Sequence, residues 1–123
     1  MNFVIHFHQS KEPHYDIMIG GDENLETWQV SEKAYSSLFD ITEVSQKEIS
    51  AKKIQDHRAY YLDYEGPISC DRGHVTAMDK GNCTEILFTE NKRIYALLGT
   101  VIKGTLTLLK DNMTWLISFI KEK

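Results

Sequence analysis

Cysteine chemistry is nearly absent from this chain. Cys70 and Cys83 are its only two cysteines, and they form no CxxC pair. A disulfide-stapled scaffold and a cysteine-rich zinc site are thereby excluded. No run approaches the ~20 apolar residues of a membrane-crossing helix. The N-terminus lacks a basic segment followed by a long apolar stretch, so no secretory signal is expected. The two thiols are then expected to be reduced and the compartment to be the cytoplasm. Positive charge is not in surplus either. Lys and Arg number 14 against 18 Asp and Glu, a net charge of −4. The chain therefore has no global attraction to nucleic acid, and any phosphate site must be local. Repeats, low-complexity tracts and linkers are also missing.

What is present is strand periodicity. The 123 residues suffice for one domain, 1–123, and a hydrophobic fraction of 41% supports an ordinary core. In Asn2 to Phe7, Phe3, Ile5 and Phe7 alternate with Val4 and His6. His14 to Ile19 repeats the pattern, with Tyr15, Ile17 and Ile19 on one face and His14, Asp16 and Met18 on the other. Further strands are expected at Leu25 to Val30, Ile49 to Gln55, Val75 to Met78, Thr84 to Phe88, Arg93 to Leu98, Thr105 to Lys110 and Trp115 to Ile120. Gly20-Gly21-Asp22 and Asp79-Lys80-Gly81-Asn82 read as turns, and His74 as a turn residue. Within Ser31 to Gln46, Ala34 to Asp40 fits one or two helical turns or an ordered loop. Many short strands divided by Gly, Asp and Asn predict an all-β chain. The expected form is a compact antiparallel β-barrel with at most one or two short helices, because closure removes exposed edges.

The chemistry-bearing residues begin with His8-Gln-Ser-Lys-Glu-Pro-His14-Tyr-Asp16. Side chains alternate faces along a strand, so His14 and Asp16 point the same way. The Lys-Glu-Pro turn can fold His8 back over that face. Two imidazoles and a carboxylate suit Mn, Fe(II) or Zn better than Ca or Mg. Three protein ligands also leave positions open for water or substrate. The competing reading is of scattered polar residues on a sheet rim.

A second cluster follows at Gln55-Asp56-His57-Arg-Ala-Tyr60-Tyr61-Leu-Asp63-Tyr64-Glu65-Gly66. Together the two clusters resemble the 3′-phosphoesterase domain of bacterial and archaeal DNA ligase D. That family carries a His, five residues, then His-x-Asp, followed by Asp-His-Pro-x-x-Tyr and Phe/Tyr-Glu-Gly. Here the pattern reads His8, His14, Asp16, Asp56-His57, Tyr61 and Tyr64-Glu65-Gly66. Trp28-Gln-Val30, Gly73-His-Val75 with Asp79-Lys-Gly81, Lys103-Gly104 and Trp115-Leu-Ile117 resemble later family motifs in order. The resemblance implies a β-barrel metalloenzyme that trims 3′-terminal ribonucleotides and 3′-phosphates from DNA ends. It implies that His8, His14 and Asp16 hold the metal, Mn2+ first, with Zn2+ or Co2+ as alternatives. His57 and Tyr61 would act on the scissile phosphate, with His6 and Gln55 as supporting residues. DNA 3′ ends and DNA ligase or other repair proteins are the implied partners, and no membrane is.

The chain also departs from that pattern. Met18 stands where the family has an arginine that grips the phosphate, Ile49 where it has a second, and Ser31-Glu32 where it has Pro-Lys. The expectation is that Met18 lies at the substrate and that Lys53, or Lys47, partly replaces a lost guanidinium. Two alternatives stand beside the enzyme reading. One is a catalytically weakened module of the same fold that binds nucleic-acid ends or a protein. The other is an unrelated two-His, one-carboxylate metalloenzyme, with His57 or His74 as third ligand and His8 free.

Overall fold

The computed structural model describes residues 1–39 and 48–122. Among the described residues there are nine antiparallel strands: β1 Asn2–Gln9, β2 His14–Gly20, β3 Asn24–Ser31, β4 Glu48–Arg58, β5 Gly66–Pro67, β6 His74–Phe88, β7 Lys92–Gly99, β8 Lys103–Asp111 and β9 Thr114–Lys121. Their order is β1-β2-β3-β4-β9-β8-β7-β6-β5, and β1 also pairs with β6. Eight strands thus close into a barrel, and the two-residue β5 is appended to β6. A short helix, α1 Glu32–Leu38, follows β3. Ser31 caps it by accepting from the Ala34 amide at 3.1 Å, which satisfies one of the helix's free N-terminal donors. Positions 40–46 of the stretch expected to be helix or loop lie outside the described residues, as does Lys47. No helix among the described residues is long and apolar enough to cross a membrane.

One parity of each strand fills the barrel. Phe3, Ile5, Ile17, Ile19, Trp28, Val30, Leu106, Leu108 and Ile117 are all buried in one cluster. Trp28 meets Trp115 edge to face at 5.5 Å, a geometry that aromatic quadrupoles favour. Helix α1 adds Leu38 to this cluster and stacks Tyr35 on Tyr15 at 3.7 Å.

The expected turn at Asp79–Asn82 does not form; those residues run through the middle of β6. Their turn-like chemistry serves another purpose. The Asp79 carboxylate accepts from the amides of Thr100, Val101 and Ile102 at 2.9, 3.1 and 2.7 Å, capping the connection between β7 and β8. A Cβ on Gly81 would stand 2.1 Å from the Leu98 carbonyl oxygen, so glycine permits a close approach of two backbones. β6 also changes partner here. Residues 74–82 pair with β1 and residues 81–88 with β7, so this one long strand closes the barrel. His74 opens β6 rather than occupying a turn.

The opposite parity of β1–β3 faces outward, yet it is covered. Val4, Met18 and Leu25 form a second small cluster, capped by Tyr61 and Leu62. Those two come from a single 3₁₀ turn, Ala59–Leu62, which the sequence pattern does not announce. The Ala59 amide donates to the Glu23 carbonyl at 2.9 Å and ties this turn back to the β2–β3 connection.

Candidate metal centre

The candidate centre lies on this outward face. Register decides its membership: His8 pairs with His14, and His6 with Asp16, directly across β1 and β2. Facing side chains on paired strands stand about 5 Å apart. His8, His14 and Asp16 each offer one ligand atom, all within 4.8 Å of one another. His14 Nε2 approaches Asp16 Oδ1 to 3.5 Å. Two donors about 2.1 Å from one ion at a tetrahedral angle stand about 3.4 Å apart, so the spacing fits two ligands sharing an ion.

The backbone assigns each imidazole its free nitrogen. His14 Nδ1 lies 3.0 Å from the Glu12 carbonyl oxygen. A carbonyl can only accept, so Nδ1 carries the proton and Nε2 presents its lone pair. His8 Nε2 lies 2.6 Å from the Arg72 carbonyl oxygen, which leaves Nδ1 as its donor atom. Carbonyl-held imidazoles of this kind are the usual support of metal-bound histidines. The carbonyl over His8 depends on Gly73, whose φ is +87° and whose Cβ would stand 1.8 Å from the Gln9 carbonyl oxygen. No other residue fits this position. Asp16 pulls the His14 pKa above its ordinary value, and burial opposes it.

Two further polar atoms are orphaned in the same place. His6 Nε2 and Asp16 Oδ1 are buried and have no hydrogen-bond partner among the described residues. Buried polar atoms are nearly always paired, so an orphaned pair in one pocket indicates a missing polar occupant. His6 is 1% exposed, and its burial lowers its pKa, with Asp16 pulling the other way.

His57 reaches this face through an irregularity. On β4, Ile54 pairs with Thr27 but His57 pairs with Leu25, so two residues oppose one. The bulge reverses strand parity and turns His57, instead of Asp56, toward the pocket. The Thr27 hydroxyl donates to the Leu25 carbonyl at 3.1 Å, so at 2.9 Å it accepts from His57 Nδ1. His57 Nε2 is left for the pocket. Tyr61 stands edge-on to His57 at 5.5 Å and to His6 at 6.5 Å. The cavity enclosed by His6, His8, Asp16, His57, Tyr61 and Arg72 measures about 120 Å³.

Four expected residues lie elsewhere. Met18 shares the strand face of His14 and Asp16, but it is 0% exposed beneath Tyr61 and Leu62. The expectation that it lies at the substrate gives way, because apolar packing has claimed the side chain. Lys53 precedes the β4 bulge and shares the parity of the core residues Ile49 and Ala51. It pairs with Glu26 at 3.4 Å and Asp56 at 3.7 Å, and it lies over the Trp28 ring. Its ammonium is thus engaged away from the pocket, where it was expected to replace part of a lost guanidinium. Gln55 is exposed at the bulge. His74, one of the two candidate third ligands of the unrelated-metalloenzyme alternative, is exposed and stands outside the His8–His14–Asp16 group. Arg72 is the pocket residue that sequence reasoning missed. Its guanidinium donates to the Ser69 carbonyl at 2.9 Å and to the Ser69 hydroxyl at 3.1 Å. Only the loop fold brings it within reach of residues 64 positions away.

Residues 6–110 match the family model described as "DNA Ligase D 3'-phosphoesterase domain". No curated protein matches the chain. The matched span takes in the barrel strands from β1 to β8 and both histidine clusters, and the chain belongs to the DNA ligase D 3′-phosphoesterase domain family.

Proposed function

We propose that this protein, acting as one domain, is a metal-dependent 3′-phosphoesterase that removes 3′-ribonucleotides or 3′-phosphates from DNA ends. The observation that carries the reading is the convergence of three ligand atoms within 4.8 Å, on histidines whose other nitrogens face backbone carbonyls. His8 Nδ1, His14 Nε2 and an Asp16 oxygen would hold the ion, with Mn2+ as the proposed metal. A divalent ion there polarises a phosphoryl oxygen and lowers the pKa of water.

The chain's own residues supply the rest. His57, held by Thr27 with Nε2 free, accepts a proton from water or returns one to the leaving oxygen. The Tyr61 hydroxyl donates to a phosphoryl oxygen as charge develops. Arg72, at the pocket wall, brings the guanidinium that β2 lacks at position 18. His6 Nε2 faces the pocket as a partner for water or a phosphoryl oxygen. DNA 3′ ends are the proposed substrates, repair proteins such as a ligase the proposed partners, and the cytoplasm the proposed compartment.

The test is a metal-screened assay on primer-templates ending in a 3′-phosphate or one 3′-ribonucleotide. Turnover with Mn2+ that is lost in His14→Ala is the expected result. Metal binding without turnover of either end would favour the end-binding module.

A further inference from the structure

Beside the metal pocket lies a second, wider recess that shares two of its walls. It encloses about 420 Å³ and is lined by Arg58, Tyr60, Tyr61, Tyr64, Ile68 and Ser69. Tyr61 and Ile68 also line the metal pocket, so the two cavities adjoin across one ring and one aliphatic side chain. Three tyrosines converge here. Tyr60 and Tyr64 lie 5.1 Å apart with planes 31° from parallel, and Tyr61 stands edge-on to both at 5.3 and 5.7 Å.

The shelf is preset. The Tyr64 hydroxyl donates to the Pro67 carbonyl, which fixes its ring. Gly66, at φ +138°, makes room for it, since a Cβ there would stand 3.1 Å from the Tyr64 hydroxyl. Tyr60, by contrast, is 60% exposed. A large aromatic side chain held at the lip of a recess, with its neighbours already locked, offers a ring face to an incoming planar group.

We infer that Tyr60, backed by Tyr64, stacks the nucleobase of the nucleotide on the 5′ side of the phosphate held in the metal pocket. This rests on the phosphoesterase reading of that pocket. Three considerations select this occupant. The recess adjoins the pocket across Tyr61, so a phosphate in one and a base in the other can belong to one nucleotide. The chain carries −4 net charge, so it gains little from counterion release, and stacking is a source of affinity that does not depend on that charge. The 5′-side nucleotide is common to a 3′-phosphate end and a 3′-ribonucleotide end, so one shelf serves both. Arg58 at the rim suits the next phosphate along the strand.

The experiment uses single-stranded DNA ending in a 3′-phosphate with 2-aminopurine as its last base. Wild type and Tyr60→Phe are expected to quench its fluorescence on binding, because a stacked base is quenched. Tyr60→Ala is expected to lose the quenching and to bind about fivefold to a hundredfold more weakly. The Tyr60→Ala penalty is also expected in KM rather than kcat. It should vanish when the last nucleotide is abasic. Equal quenching by wild type and Tyr60→Ala overturns the proposal, whatever the turnover. So does a penalty that persists on the abasic substrate. Tyr60-dependent quenching without turnover of either 3′ end sinks the phosphoesterase reading and leaves the shelf standing.

Discussion

On β1 and β2, neighbouring residues are equally buried and do opposite things. Phe3, Ile5, Ile17 and Ile19 enter the barrel; Val4, His6, Asp16 and Met18 face outward, and all eight are almost wholly inaccessible. The inward face is sealed by strands on every side and is filled by hydrocarbon. The outward face is covered by a 3₁₀ turn and the loop that ends in Gly73. That cover leaves a pocket in which histidines and a carboxylate meet, with Arg72 at its wall. Burial alone therefore does not separate structural from functional residues here. The nature of the covering element does: a barrel wall demands close packing, whereas a draped loop tolerates polar atoms and a cavity.

The sharpest way to break this comparison is to change one residue on each face of β2. His14→Ala is expected to abolish metal binding, since two ligands rarely retain a divalent ion. Its metal-free stability should change by only about 1 kcal/mol, the value of one hydrogen bond. Titration calorimetry with Mn2+ and denaturant melts of the metal-free protein check both. On the other face, Ile17→Ala is expected to cost about 2–5 kcal/mol of stability. Below its melting transition it should still bind metal. If Ile17→Ala lost the metal while folded, the two faces would not be independent.

Arg72→Gln tests the loop's contribution. The variant keeps Gly73 and the backbone carbonyl over His8, but it removes a charge-assisted contact of about 1.5–3 kcal/mol. A fall in kcat/KM of about tenfold to over a hundredfold is expected, with metal affinity unchanged. A smaller effect is expected from Thr27→Val, which frees His57 Nδ1 without opening a cavity. One neutral hydrogen bond of about 1 kcal/mol corresponds to roughly a fivefold loss in kcat. Thr27→Ser should restore the lost activity.

The mildest contrast lies between the two thiols. Cys83 is buried, and desolvation pushes its pKa up to about 11, from an ordinary value near 9. Cys70 is exposed on the loop. A thiol reagent at pH 8 should label one cysteine in the folded protein and two in denaturant. The unfolded Cys83 thiol ionises first as pH rises. Its contribution to stability is therefore complete below about pH 9 and lost through about 11.

Strand alternation and motif order, read from residues alone, determined much of this protein. Alternation around Phe3, Ile17 and Trp28 required strands, and the absence of long helical periodicity required an all-β barrel. The spacing of His14 and Asp16 placed both on one face, since parity is local. Tertiary structure decided what local spacing could not carry. The β4 bulge re-aimed His57, because a bulge depends on the partner strand. The 3₁₀ turn covered Met18, so strand parity predicted its direction correctly and its exposure incorrectly. Val4 carried a hint: three consecutive apolar residues, Phe3, Val4 and Ile5, suit a strand covered on both faces. Asp79 and Gly81 misled as turn residues because an internal cap and a close backbone approach use the same residue types. Lys53 was captured by Glu26 and Asp56, and Arg72 arrived from a distant loop. Charge pairing and loop closure join residues far apart in sequence, and only the folded chain settles which groups meet.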